Sequence, residues 1–156
     1  MDDISVFVFF YLVQTLLMVY VGLALFDAQL SRPRLAVCGI LLALCLWLVR
    51  SICMLRGIPL GPHTLIMTIL FILVLKTIGH QSWGVALGAT LTTMTLVVIG
   101  SGISQLLLPA FELTAKQVLG NPWLHILMGY VENVFLVAGL FLNKAFGLTI
   151  VHLLDV

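Results

Sequence analysis

The sequence predicts an all-α, polytopic membrane bundle of about five transmembrane helices joined by short loops. Two observations carry this. Of the 156 residues, 62 % are hydrophobic and only 8 % charged, and the mean hydropathy is +1.24. A soluble domain of this size carries roughly a quarter charged residues and needs solvated loops, which this chain largely lacks. Second, the apolar segments recur at lengths near the roughly 20 residues that cross a hydrocarbon layer of about 30 Å. We expect one integral membrane domain over residues 1–156, with spans near 4–26, 34–55, 58–76, 83–108 and 122–142. A short interfacial helix is expected near 110–119.

Each span has a local reason. The first follows two Asp residues, where a cleaved secretory leader would carry Lys or Arg. It is therefore kept as a helix. "DAQLSRPR", "RGIPLGPH" and "KTIGHQS" punctuate the next three boundaries with turn formers, and loops this short make successive helices antiparallel neighbours. Ser82 is placed to cap the helix opened by Trp83, and Asn121 the helix opened by Pro122, whose missing N–H is not needed in the first turn. Trp83 and Trp123 fall near opposite interfaces, where an amphipathic ring is favoured. After Pro109, Glu112 and Lys116 stand at i,i+4, with Phe111, Ala115, Val118 and Leu119 available for the other side of an interfacial helix. "KAFGLTIVHLLDV" is too short to cross again.

With the N-terminus outside, Arg32, Arg34, Lys76 and Lys144 fall inside, while Arg56 and Lys116 fall outside. Basic residues favour the cytoplasmic loops. The expected location is therefore a cell membrane, N-terminus out and C-terminus in.

Composition also excludes functions. A formal net charge of +1 and no basic run leave no footprint for nucleic acid. The partners to expect are the lipid bilayer, a membrane or cytoplasmic signalling protein, and a second copy of the chain. Cys38, Cys45 and Cys53 lie seven and eight residues apart on one predicted helix, roughly 10 Å or more along its axis. They can neither bridge nor share a metal, and they read as small packing residues. Gly84 and Gly88, followed by Thr90, Thr92, Thr93 and Thr95, suggest close helix contact with hydroxyls on backbone, or alternatively a hydroxyl-lined passage. No protease, phosphate-loop or metal motif is present. We expect no enzyme, no catalytic residues, no metal and no cofactor.

Candidate chemistry centres on Glu132. Positions 125, 129, 132, 136, 139 and 143 form one helical stripe of His, Gly, Glu, Leu, Gly and Asn. A carboxylate in mid-membrane costs a few kcal/mol, about 2.5 or more, unless partnered. The stripe should therefore face the bundle interior. Arg50, inside the second span, is the best basic partner at comparable depth. The candidate intramembrane polar site is Glu132, Asn133, Arg50 and His125, with His63 near its mouth. It is either a structural tie between helices or a binding or proton-sensing pocket.

From about residue 64 to 142, "TLIMTILFILVLKTIGHQSWGVALGATL" and "GNPWLHILMGYVENVFLVAGLFL" carry an apolar helix ending in Lys76, a short turn, Trp83 opening the next helix, and an Asn121-Pro122-Trp123 entry to the last span. In these features the chain resembles the membrane-embedded sensory domain of accessory-gene-regulator-type, peptide-responsive Gram-positive histidine kinases. The resemblance implies a bacterial sensory bundle whose last helix delivers the chain to the inside. No phosphoacceptor helix or ATP-binding domain is expected here, and no functional residue transfers by motif. The expected function is a stand-alone sensory or regulatory membrane protein that binds an external signal or a membrane partner and relays it through its C-terminal segment. A small transport component with a polar site at Glu132 and a structural membrane interaction protein are the alternatives.

Overall fold

Every regular element in the computed structural model is helical, over the described residues 3–57 and 61–150. Helix α1 (Ile4–Leu25) is opened by Asp3, whose carboxylate accepts from the Ser5 backbone N–H at 2.8 Å and from its hydroxyl at 2.6 Å. Those two hydrogen bonds hold the exposed Asp3 carboxyl below the usual carboxylate range. Phe7–Tyr11 winds as one wide π turn. The extra residue in that turn lets the adjacent Phe10 and Tyr11 both point inward, at 2 % and 0 % exposure.

Helix α2 (Arg32–Leu55) starts with Pro33 in its first turn. Helix α3 (Gly61–Thr77) is shorter; the expected start of its span, at 58, lies outside the described residues. Helix α4 (Trp83–Leu107) is capped by the Ser82 hydroxyl accepting from the Val85 N–H. A 3-10 turn (Pro109–Phe111) leads to helix α5 (Ala115–Gly120). Helix α6 (Pro122–Phe146) begins at Asn121, whose side-chain oxygen accepts from Trp123 and Leu124 N–H. Both caps thus sit where the sequence put them, and Trp83 and Trp123 are exposed.

Among the described residues, four helices are long and apolar enough to cross a membrane: α1, α2, α4 with its terminal turn, and α6. The third expected span is the shorter apolar helix α3. The expected interfacial helix needs correction. Glu112 adopts a left-handed conformation at φ 54° after the 3-10 turn, and a Thr114–Gln117 capping box restarts the helix only at Ala115. Glu112 and Lys116 therefore do not share one helical face, and of the four apolar residues assigned to the other side only Val118 is buried.

Helix α1 is the central element, packed on α2, α4 and α6, while α3 fills the groove between α2 and α4. Two glycines set how closely helices approach. A Cβ on Gly22 would crowd Ala89 and Thr93 of α4, and one on Gly100 of α4 would run into the backbone carbonyl of Glu132. Of the expected Gly84 and Gly88 contact, only Gly88 forms one, against the Phe26 ring, while Gly84 has open space beside it. Two of the α4 hydroxyls turn back on their own helix: Thr93 donates to the Ala89 carbonyl at 2.8 Å and Thr95 to that of Leu91 at 2.8 Å, whereas the buried Thr90 hydroxyl makes no hydrogen bond among the described residues. Direct cross-helix bonds run from the Thr15 hydroxyl of α1 to the Gly39 carbonyl of α2 at 2.9 Å, and from the Tyr130 hydroxyl of α6 to the Phe9 carbonyl of α1 at 2.8 Å. All three cysteines are free, with Cys38 and Cys53 buried.

The bundle has two dissimilar ends. Toward Asp27, the core is tight and apolar: Val21, Leu25, Val74, Leu75, Ala86, Ala89 and Leu136 close together. Toward Asp3, a smaller cluster of Val6, Phe10, Tyr11, Ala43 and Ile126 packs together, and open space lies among other residues of the same half.

Candidate binding cavity

The Asp3 half holds a cavity of about 830 Å³ lined by residues of all six helices. That is within the range that takes a small-molecule ligand, roughly 300–1,000 Å³. Its walls follow helical periodicity. On α2 the lining residues are Arg50, Leu46 and Leu42; on α3 they include His63, Met67 and Phe71, and on α4 Ser101, Val97 and Met94. In each series the polar residue lies nearer the Asp3 end, and the following turns toward Asp27 are apolar. On α1, Gln14 and Thr15 precede Met18 in the same sense. Leu108, Pro109, Leu113, Val118 and Leu119 contribute at the end of α4 and along α5. The result is a polar belt with an apolar well on the side facing the tight core.

Three of the four expected site residues meet here. Glu132, Arg50 and His125 all line the cavity, as does His63. The Arg50 guanidinium lies over the Tyr11 ring at 5.3 Å from its centroid, a cation–π contact that offsets part of the cost of a desolvated charge. Its charge acts on both Glu132 and His63, and the Ser101 hydroxyl lies beside the Glu132 carboxyl. His125 is 6 % exposed. Its ring packs against Phe10 at 5.7 Å and edge-on to Tyr11 at 6.1 Å, so the wide turn of α1 supplies both of its aromatic neighbours.

Glu132 is positioned by backbone. Its carbonyl abuts Gly100 of α4, where any larger residue would collide, and the helix tightens immediately afterward. The Asn133 N–H is shared between the carbonyls of Gly129 at 3.2 Å and Tyr130 at 3.1 Å, interrupting α6 between Glu132 and Val134. Below the break, Leu136 continues the inward stripe at 0 % exposure.

Asn133, the fourth expected residue, lies elsewhere. It lines a groove with Val13, Leu17, Tyr130, Val134 and Val137. Successive residues on a helix point about 100° apart, and here that turn carries Asn133 away from the cavity that Glu132 lines. The Asn133 amide is buried and makes no hydrogen bond among the described residues. Sequence reasoning passed over Gln14, Ser101 and Tyr11. Gln14 had a signal, an amide in the middle of an apolar run, whereas Tyr11 depends on the wide turn. Among the described residues, no three His, Cys, Asp or Glu side chains are grouped to hold a metal ion.

Comparison with protein-family models, curated proteins and solved structures finds no match, so the functional reading rests on the chemistry of this cavity.

Proposed function

We propose that the chain is a membrane sensory or regulatory protein that takes a small ligand into the Asp3-end cavity and passes its occupancy along α6. In this reading the Asp3 end faces outward, α3 crosses the membrane as a fifth, short span, and the last turns of α6 face the cytoplasm toward a signalling partner. One observation carries the proposal: the cavity combines apolar walls with Arg50, Glu132 and His63, the Arg50 charge acting on the other two. Small-molecule sites have this composition, mostly apolar with a few polar groups that orient the ligand.

The transport alternative has less support. Toward Asp27 the cavity meets the apolar core, and the hydroxyls of Thr93 and Thr95 are bonded to their own helix. A relay through α6 is supported by its construction. Glu132 lines the cavity immediately before the Asn133 interruption, and Asn143, eleven residues farther on, donates from its side-chain nitrogen to the Ala24 and Leu148 carbonyls. Ligand contact at Glu132, midway along α6, thus has a mechanical route to the helix's junction with α1.

Spin labels at Asp27 and Lys144, both exposed, test the relay. Filling the cavity from inside by Met94→Trp should shift or narrow the distance distribution between the labels. An unchanged distribution in a folded variant with a filled cavity would contradict the relay.

A further inference from the structure

We infer that the cavity selects a single-tailed amphiphile with an anionic headgroup, which competes with Glu132 for Arg50. This rests on the ligand-binding reading above and specifies its ligand class.

Charge arithmetic comes first. The titratable side chains among the described lining residues are Arg50, His63, His125 and Glu132. A guanidinium does not lose its proton in a protein, whereas a carboxylate can gain one and each imidazole can only add positive charge. With Glu132 ionised and both histidines neutral, the cavity carries no net charge. Every other protonation state is positive. The site can therefore become a receptor for an anion and has no state that favours a cation.

Shape gives the second half of the inference. The polar belt stands at the Asp3 side, while Leu42, Phe71 and Met94 line the apolar well toward Asp27. An alkyl chain in that well removes apolar surface from water or lipid headgroups, and its head would lie at the level of Arg50. There it meets a fork of N–H donors suited to a carboxylate or phosphate. The competitor is built in. Helices α2 and α6 are not packed neighbours, yet Arg50 on one and Glu132 on the other both line the cavity, and the Arg50 charge acts on Glu132. An incoming anion can take over the neutralisation of Arg50, leaving Glu132 to accept a proton or a hydrogen bond from Ser101.

Native mass spectrometry of the protein released from nanodiscs tests this with decanoate, decan-1-ol and decyltrimethylammonium. We expect decanoate to bind about tenfold or more tighter than either other probe. Arg50→Gln should remove that preference, Arg50→Lys should restore part of it, and Glu132→Gln should strengthen decanoate binding by about tenfold, because a neutral amide no longer competes for the guanidinium. Met94→Trp should weaken every probe. Nanodiscs with and without lysophosphatidylglycerol, which has one acyl chain, separate two sources of the same headgroup chemistry: co-released lysophosphatidylglycerol displaced by decanoate would support an anionic site filled from the bilayer. Equal binding of all three probes, or a decanoate preference indifferent to Arg50, would overturn the anion inference while leaving the ligand cavity standing, provided Met94→Trp still weakens binding. No binding of any probe would remove both readings.

Discussion

The two halves of the bundle are built from the same apolar helices yet solve different problems. Toward Asp27, Val21, Leu25, Leu75, Ala86, Ala89 and Leu136 fill the interior completely. Toward Asp3 the same helices carry Gln14, Arg50, His63, Ser101 and Glu132 around open space. A bundle meant only to hold together has no use for a desolvated Arg and Glu across a void, because well-packed apolar residues of similar volume would be as stable or more so. The contrast teaches that close apolar packing is concentrated in one half, and the polar groups and open space in the other.

That division can be broken most severely at the junction between the halves. Gly100→Leu should destabilise the protein by about 3 kcal/mol or prevent folding, since its side chain would collide with the Glu132 backbone that it now abuts. Expression and thermal unfolding in mild detergent would read this; a wild-type melting temperature would show that α4 and α6 do not rely on the contact. The halves should next differ in their response to truncation. Leu75→Ala in the tight core should cost about 2–5 kcal/mol, the range for deleting a buried side chain. Leu46→Ala, which lines existing open space, should cost much less, and equal losses would contradict the division.

Smaller effects sharpen the picture at the Asp3 end. Thr114→Ala removes the capping box of α5 and should cost about 1 kcal/mol of local stability, seen as faster amide exchange over Ala115–Gly120 with little change in the global transition. Smaller still is the effect of acid on the first turn of α1. The Asp3 carboxyl is depressed by its bonds to Ser5, so its contribution is present above the unfolded-state value and is lost as pH falls through the lower folded value. Fraying at Ile4 should therefore appear only on acidification below about pH 4, and Asp3→Asn should blunt that response.

Much of this was legible in the sequence, for physical reasons that also explain what was not. Glu132 could be aimed inward because His125, Gly129 and Leu136 repeat at helical spacing, and one face must carry them all. Arg50 could be chosen because a cation inside an apolar span needs company. Asn133 was grouped with Glu132 by chain adjacency, which a helix does not preserve as a shared direction. The π turn that brings Tyr11 beneath Arg50, and the left-handed Glu112 that delays α5, depend on tertiary packing and left no periodic trace. The tight half is legible only in retrospect, since its apolar residues are no more numerous than those facing outward.

The central claim, a reachable cavity in one half and a sealed core in the other, is tested most directly by cysteine accessibility. In a background with Cys38, Cys45 and Cys53 replaced by Ala, single cysteines at Ser101 and at Ala89 would be exposed to a small water-soluble methanethiosulfonate in nanodiscs. We predict rapid modification at position 101, slowed by decanoate, and essentially none at position 89, which is fully buried. Equal reactivity at the two positions, or an inert cysteine at 101, would contradict the account.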